Sequence, residues 1–215
     1  MLYKNAVTKG TLDLIQRLMA DVELKEFNLI GGTALALKIG HRASIDIDLF
    51  CTTDFNSEGI AAHLSKKYNA ERMSCLKNAV FCFIEDVKID LIAHQYPQIY
   101  PVEVVDGIRM LSLNDIAAMK LHAVVNNGTR HKDFVDIYFL LERLPMTAML
   151  HDYEIKYAET NTIMAKTALL YHNDIDFTVP IAYRSNKIKW AKIAARISGA
   201  LITPNEIFPT TRIVE

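Results

Sequence analysis

The chain has little of what a secreted or membrane-bound protein carries. Its three cysteines, Cys51, Cys75 and Cys82, are odd in number and lack metal-ligand spacing. That excludes a disulfide framework and a zinc motif, and fits reduced packing thiols. No stretch approaches ~18 uninterrupted apolar residues, so no transmembrane helix is expected. The opening "MLYKNAVTKGTLDLIQRLMADVELKEF" spreads charges through a helical spacing of apolar residues, which is not the pattern of a signal peptide. A cytoplasmic protein without membrane association is therefore expected. An excess of one charge is missing too: 24 Lys and Arg against 25 Asp and Glu leave −1, with no global pull toward nucleic acid. Repeats and low-complexity tracts are absent, as are the G-x-x-x-x-G-K-[ST] phosphate loop and the G-x-G-x-x-G dinucleotide fingerprint. A hydrophobic content of 51% and a charged content of 23% over 215 residues are ordinary for a globular chain of one or two domains.

What is present concentrates around "SIDIDLF", residues 44–50. Polar and apolar residues alternate with period two, the mark of a β-strand. Asp46 and Asp48 are expected on one face, with Ile45, Ile47 and Leu49 on the other. Aspartate is a poor strand former, and two like charges ~7 Å apart on one face repel. A divalent cation offsets that repulsion, because Mg²⁺ is typically held by one or two carboxylates plus substrate phosphates. A half-solvated edge strand that happens to carry acids is the plainer explanation of an isolated D-x-D.

The flanking residues narrow the choice. "FNLIGGTALALKIG" reads as a strand over Phe27–Ile30, a glycine turn at Gly31-Gly32, and a short helix from Thr33 closed by Gly40. Glycine permits positive φ and close backbone approach. The free N–H groups at a helix start can receive a phosphate. Downstream, residues 79–84 and 87–92 form a hairpin pattern around Glu85-Asp86. Asp90 sits within the apolar second run, where an acid is costly unless paired or metal-bound. Three acids on neighbouring strands, Asp46, Asp48 and Asp90, are what two-metal phosphoryl or nucleotidyl transfer requires.

A third motif is helical. Ser112 followed by Asp115 makes a capping box for "LSLNDIAAMKLHAVVNN", with Lys120 in mid-helix and Asn126-Asn127-Gly128 as a breaker. "RHKDFVDIYFLLERL" begins a second helix, in which Asp133 and Asp136 share a face. A mid-helix lysine is ordinarily exposed and solvated. Lysine can also serve a phosphate as a point charge.

"GGTALALKIGHRASIDIDLF" resembles the signature of the polymerase-β-type nucleotidyltransferase superfamily, with thirteen residues between Gly32 and Asp46. With "KIDLI" and "MKLHAVVNNGTRHKDFVDIYFLL" it is similar to the AbiEii/AbiGii abortive-infection toxin branch, over roughly residues 25–143. The resemblance implies transfer of a nucleoside monophosphate from an NTP, with two Mg²⁺ ions, to an acceptor such as the 3′ end of tRNA. It also implies a toxin of a toxin–antitoxin or phage-defence system, with a cognate antitoxin as a possible partner. Gly31, Gly32 and Ser44 match its phosphate-side positions. Asp46, Asp48 and Asp90 match its metal and base carboxylates, and Lys120 its catalytic-site lysine. Thr33 joins the nucleotide side as the first helical residue. Arg42 is a further candidate triphosphate contact, while His41 reads as structural. Asp133 or Asp136 would orient Lys120 or touch the acceptor; the motif leaves that open.

The expected fold is α+β: a polymerase-β-like nucleotidyltransferase lobe with a mixed sheet over residues 1–110, then a mostly helical lobe over 111–215. Its helices are expected near 8–25 and 57–68 and from Ser112 onward. A strand near 70–76 and short strands around Asp106-Gly107 complete the list. The segment with Arg184, Lys187, Lys189, Lys192 and Arg196 has no acid and suits either an RNA-acceptor surface or a solvated helix face. Trp190 could stack a base or lie in the core. Two other readings keep the fold: an aminoglycoside-type enzyme with a small-molecule acceptor, and a non-catalytic scaffold. "RHKDFVDIYFLL" argues against the first, and the joint presence of Asp46, Asp48, Asp90 and Lys120 against the second.

Overall fold

The computed structural model describes residues 1–184 and 186–210. The chain divides into two compact units. The first comprises residues 1–39, 44–96 and 101–111, and the second 40–43, 97–100 and 112–215. The expected division at a single chain position, 110/111, is thus refined. Two short returns, 40–43 and 97–100, belong with the helical unit because their polar groups are satisfied there: His41 and Arg42 bond Asp136, and the N–H groups of Ile99 and Tyr100 bond Asp115.

The first unit is built on a seven-stranded mixed sheet, ordered β3-β4-β5-β2-β1-β7-β6. Its strands are β1 (Asn28–Ile30), β2 (Ile47–Cys51), β3 (Glu71–Leu76), β4 (Ala79–Ile84), β5 (Val87–Ala93), β6 (Glu103–Val105) and β7 (Ile108–Met110). Parallel pairing joins β2 to β5 and β1 to β7; the other pairs are antiparallel. The hairpin turns form where the sequence places residues tolerant of positive φ. Glu85 and Asp86 stand at +52° and +60°, and Asp106 and Gly107 at +52° and +77°, the primed-turn geometry that matches strand twist. Leu29, Ile47, Leu49, Val80, Cys82, Ile84, Ile89 and Leu91 are buried on the sheet's apolar face.

Helix α1 (Lys9–Met19) starts at Thr8, whose hydroxyl accepts the Thr11 N–H, and buries Leu14, Ile15 and Leu18. It stops at Met19, short of the expected residue 25, and a 3-10 turn over Val22–Leu24 follows. Arg109 stabilises that stop by donating to the carbonyls of Met19, Leu24 and Phe27. The same junction holds a buried carboxylate. Asp21 receives His63 Nε2 and the Tyr68 hydroxyl at 2.7 Å and Lys67 Nζ at 3.0 Å. Burial opposes its charge, but these donors outweigh burial and hold Asp21 well below the carboxylate range. Its partners lie on α3 (Ser57–Tyr68), which is capped by Asn56 and ended by left-handed Asn69.

The second unit holds α4 (Leu113–Asn126), α5 (His131–Leu140), α6 (Met146–Lys156), α7 (Thr162–Leu170) and α8 (Trp190–Ile202). Helix α4 packs against α5, α6 and α7, and α8 against α5 and α7. The expected capping box forms on one side only: Ser112 Oγ accepts the Asp115 N–H. The Asp115 carboxylate is otherwise engaged, with the Ser112 hydroxyl, Lys156 Nζ at 2.9 Å and the N–H groups of Ile99 and Tyr100. Among the described residues of 171–189 there is no helix, so the unit is less uniformly helical than its apolar spacing suggests.

Candidate active site

Strand β2 begins at Ile47, three residues later than the alternation suggests. Ile45 precedes the strand and is 67% exposed, so it does not join the apolar face expected for it. From Ile47 onward the alternation holds: Ile47, Leu49 and Cys51 are buried, and Asp48 and Phe50 half-buried on the other face. Asp48 lies directly opposite Asp90 of the parallel strand β5 and opposite Ile30 of the antiparallel strand β1. Paired residues carry their side chains on one face, so the two carboxylates are neighbours across strands about 4.8 Å apart.

Helix α2 (Gly31–Ile39) follows β1 without an intervening turn, and Gly31-Gly32 form its first residues. This differs from the expected glycine turn ahead of a helix starting at Thr33. Gly31 has φ +71°, and a Cβ there would collide with the Asp48 carboxylate, whose Cγ lies 3.3 Å from that position. The glycine is therefore demanded twice, by conformation and by the acid against its backbone. The buried Thr33 hydroxyl reaches the Asp46 carbonyl and lies 2.8 Å from the Ser44 hydroxyl, fixing the approach to β2.

Asp90 is partnered by Lys88, two residues earlier on the same face, with Nζ 2.5 Å from Oδ2. Its other oxygen, Oδ1, is buried with no hydrogen-bond partner. Asp46 borders a cavity of about 400 Å³ shared with Thr8, Thr11, Phe83, Asp86 and Lys88. Among the described residues, no three His, Cys, Asp or Glu side chains are grouped as a ready-made metal site. The convergence expected of three carboxylates is thus a registered pair, Asp48 and Asp90, with Asp46 just ahead of the strand. The donors nonetheless suit a hard cation. All are carboxylate oxygens, one is buried and unsatisfied, and Mg²⁺ needs only one or two carboxylates when substrate phosphates complete its shell.

Arg42, Lys120, Asp133 and Asp136 fall in the second unit. There Lys120 Nζ sits 2.7 Å from both Asp133 Oδ1 and Asp136 Oδ2. Arg42 grips Asp136 through Nε at 2.7 Å and Nη2 at 3.0 Å and donates Nη1 to the Ala43 carbonyl. Its donors are turned to the protein, unlike the triphosphate contact expected of it. His41 Nε2 completes the cluster at 2.7 Å from Asp136 Oδ1. Lys120 is 7% exposed and His41 and both acids are fully buried, so the lysine matched to a catalytic-site position is here an ion-pair bond between α4 and α5. Burial pushes Lys120 down, but Asp136 and Asp133 outweigh it and raise its pKa above the ordinary value. Burial likewise opposes the charge of Asp136, and Arg42 and Lys120 hold it well below the carboxylate range. Burial pushes His41 below its ordinary value, outweighing the Asp136 carboxylate beside it.

The basic segment is also partly committed. Arg196 stacks 3.7 Å over Tyr138 and bonds Glu142 at 2.6 Å, whereas Lys187, Lys189 and Lys192 are exposed. Trp190 meets His131, Phe134, His172 and Phe177 edge-on, a packed cluster rather than an open stacking face. Lys88 was not singled out from the sequence, although K-x-D in a strand puts both side chains on one face. The ion pairs of Asp21 and of Asp115 with Lys156 left no local signal, because the two sides lie more than 40 residues apart along the chain.

A mixed sheet with a glycine-started helix beside its D-x-D strand is the fold of the polymerase-β-like nucleotidyltransferases. A Helicobacter pylori protein described as a candidate nucleotidyltransferase superposes with a TM-score of 0.54 at 18% identity, over 92% of this chain and 96% of that one. An antigenic nucleotidyltransferase-like protein from Paracoccidioides brasiliensis gives 0.52 at 16% identity, over 76% and 87%. Residues 13–81 and 81–208 match the family model described as "Nucleotidyl transferase AbiEii toxin, Type IV TA system", and the chain belongs to that family. It is 28% identical over 158 residues to the uncharacterised protein aq_aa25 of Aquifex aeolicus, covering 72% of this chain and 70% of that one. The protein is a nucleotidyltransferase of this toxin family. Among the described residues, no helix is long and apolar enough to cross a membrane.

Proposed function

We propose that the protein transfers a nucleoside monophosphate from an NTP to an RNA acceptor, the 3′ end of tRNA, in a metal-dependent reaction. In this reading it acts as the toxin of a pair whose antitoxin is a second protein. One observation carries the reading most: Asp48 and Asp90 stand in register on parallel strands, with Gly31 shaped to admit the Asp48 carboxylate. A sheet does not set two like charges side by side for stability. Asp46, Asp48 and Asp90 would hold two Mg²⁺ ions, which supply charge neutralisation of the triphosphate and lower the pKa of the acceptor hydroxyl.

The chain's own groups supply the rest. The N–H groups of Gly32 and Thr33 at the start of α2 receive a phosphate, favoured by the helix dipole. Thr33 and Ser44 fix the backbone of Asp46. Asp90 takes the proton of the attacking hydroxyl, whose oxygen bonds the α-phosphorus as pyrophosphate leaves. In the second unit, Lys120, Asp133, Asp136 and Arg42 are assigned to positioning, since each charge already has an opposite partner. Lys187, Lys189 and Lys192 are the exposed cations left to meet an RNA backbone.

The test is incubation with each α-labelled NTP, Mg²⁺ and total tRNA, beside parallel reactions with aminoglycosides and with EDTA. Label on RNA that disappears in EDTA is the expected result. Label on the aminoglycoside alone would assign a small-molecule acceptor, and label that persists in EDTA would remove the metal from the reaction.

A further inference from the structure

Resting on that reading of the carboxylates, we infer that Lys88 is a placeholder cation for Asp90, one that a metal ion must displace, and that it sets how much metal the enzyme needs. The Lys88 ammonium lies 2.5 Å from Asp90 Oδ2, and no other cation is recorded within ion-pair distance of Asp90 among the described residues. The two oxygens of Asp90 differ sharply: Oδ2 holds Lys88, while Oδ1 is buried with no partner. Asp90 is thus half satisfied, and it stands directly opposite Asp48 across the strands.

Lys88 can leave. Its side chain is 45% exposed against 15% for Asp90, and it borders the cavity of about 400 Å³ that Asp46 also lines. When a divalent cation engages Asp90, the ammonium has open space beside the Thr8 and Thr11 hydroxyls to move into, with no backbone rearrangement. Occupation of Asp90 by lysine and by metal are then mutually exclusive, and each lowers the other's apparent affinity by the same factor. Lys88 accordingly holds the place of the ion at Asp90 and suppresses binding at low metal concentration.

The test reads metal binding directly, without turnover. Mn²⁺ alone is titrated into wild type, Lys88→Met, Lys88→Arg and Asp90→Asn, with free Mn²⁺ followed by electron paramagnetic resonance and melting temperature recorded with and without the ion. Lys88→Met should tighten the apparent Kd about threefold to fivefold, the scale of a half-exposed ion pair. Lys88→Met should also melt lower than wild type in chelator and gain more on adding Mn²⁺. Lys88→Arg should stay close to wild type. Unchanged or weaker Mn²⁺ binding by Lys88→Met, with Asp90→Asn binding weakly, would overturn the placeholder role and leave the metal site standing. Equal binding by wild type and Asp90→Asn would overturn the metal reading of Asp90 itself, and the placeholder with it.

Discussion

Two groups of charges in this protein use the same residue types in opposite ways. On the sheet, Asp48 and Asp90 lie in register, and Asp90 pairs with the half-exposed Lys88. In the helical unit, Asp133 and Asp136 meet Lys120 and Arg42, and His41 adds a further bond to Asp136. The second set is close to self-neutralised and holds α4, α5 and residues 40–43 together. In the first, Asp90 holds one cation, Lys88, on a half-exposed side chain. An acid that costs stability where it stands is a better candidate for chemistry than one whose charge is already matched.

Removing charges from each set sharpens that contrast, and stability separates them. The largest effect is expected for Lys120→Ala. It leaves the buried Asp133 with only Arg130 at 3.4 Å and takes one of two cations from the buried Asp136, so unfolding in urea should show a loss of about 3–5 kcal/mol. A loss below about 1 kcal/mol would mean that the helical cluster is not the structural bond described here. Next comes Gly31→Ala, which forces a side chain into a left-handed conformation and against Asp48; about 1–3 kcal/mol should be lost, together with activity. Gly107→Ala is its control, with similar φ (+77°) and nothing within 4 Å of the added Cβ. Only the backbone cost should appear there, and equal losses at both glycines would deny the close approach of Asp48.

Acid should act mainly on the buried histidines. Burial lowers His41, His122 and His131 below the ordinary 6.5, so the folded state resists a proton that the unfolded chain accepts. Their contribution is intact above pH 6.5 and is lost as pH falls below it. Melting temperature should therefore decline from pH 7 toward pH 5. A flat profile over that range would show that these imidazoles are not held neutral.

Much of the sheet was readable from the chain because its signals are local. Glu85-Asp86 and Asp106-Gly107 mark hairpins, Asn126-Asn127-Gly128 ends α4, and the alternation in "IDLF" sets which face Asp48 occupies. The glycines before the D-x-D were readable as a close-approach site, but not the fact that Asp48 itself is what approaches. The burial of Lys120 was not legible. A lysine at mid-helix looks exposed until Asp133 and Asp136 are brought across from another helix and Arg42 from 78 residues upstream in the chain. Ile45 misled for the opposite reason: alternation suggested a longer strand, yet pairing with β1 and β5 begins only near Ile47. The roles of Asp21 with His63 and of Asp115 with Lys156 were not legible, because those partners lie 42 and 41 residues away.

The smallest expected stability change carries the most weight. Asp48→Asn removes one of two facing charges, so the variant should melt at or above the wild-type temperature in the absence of metal. Its transfer of labelled nucleotide to RNA at saturating NTP and Mg²⁺ should nevertheless fall by at least about 100-fold, the scale of losing a preorganised electrostatic group. Both quantities are to be measured on the same preparation. Unchanged stability with lost transfer is the predicted result; transfer within about twofold of wild type would contradict the assignment of these carboxylates to catalysis.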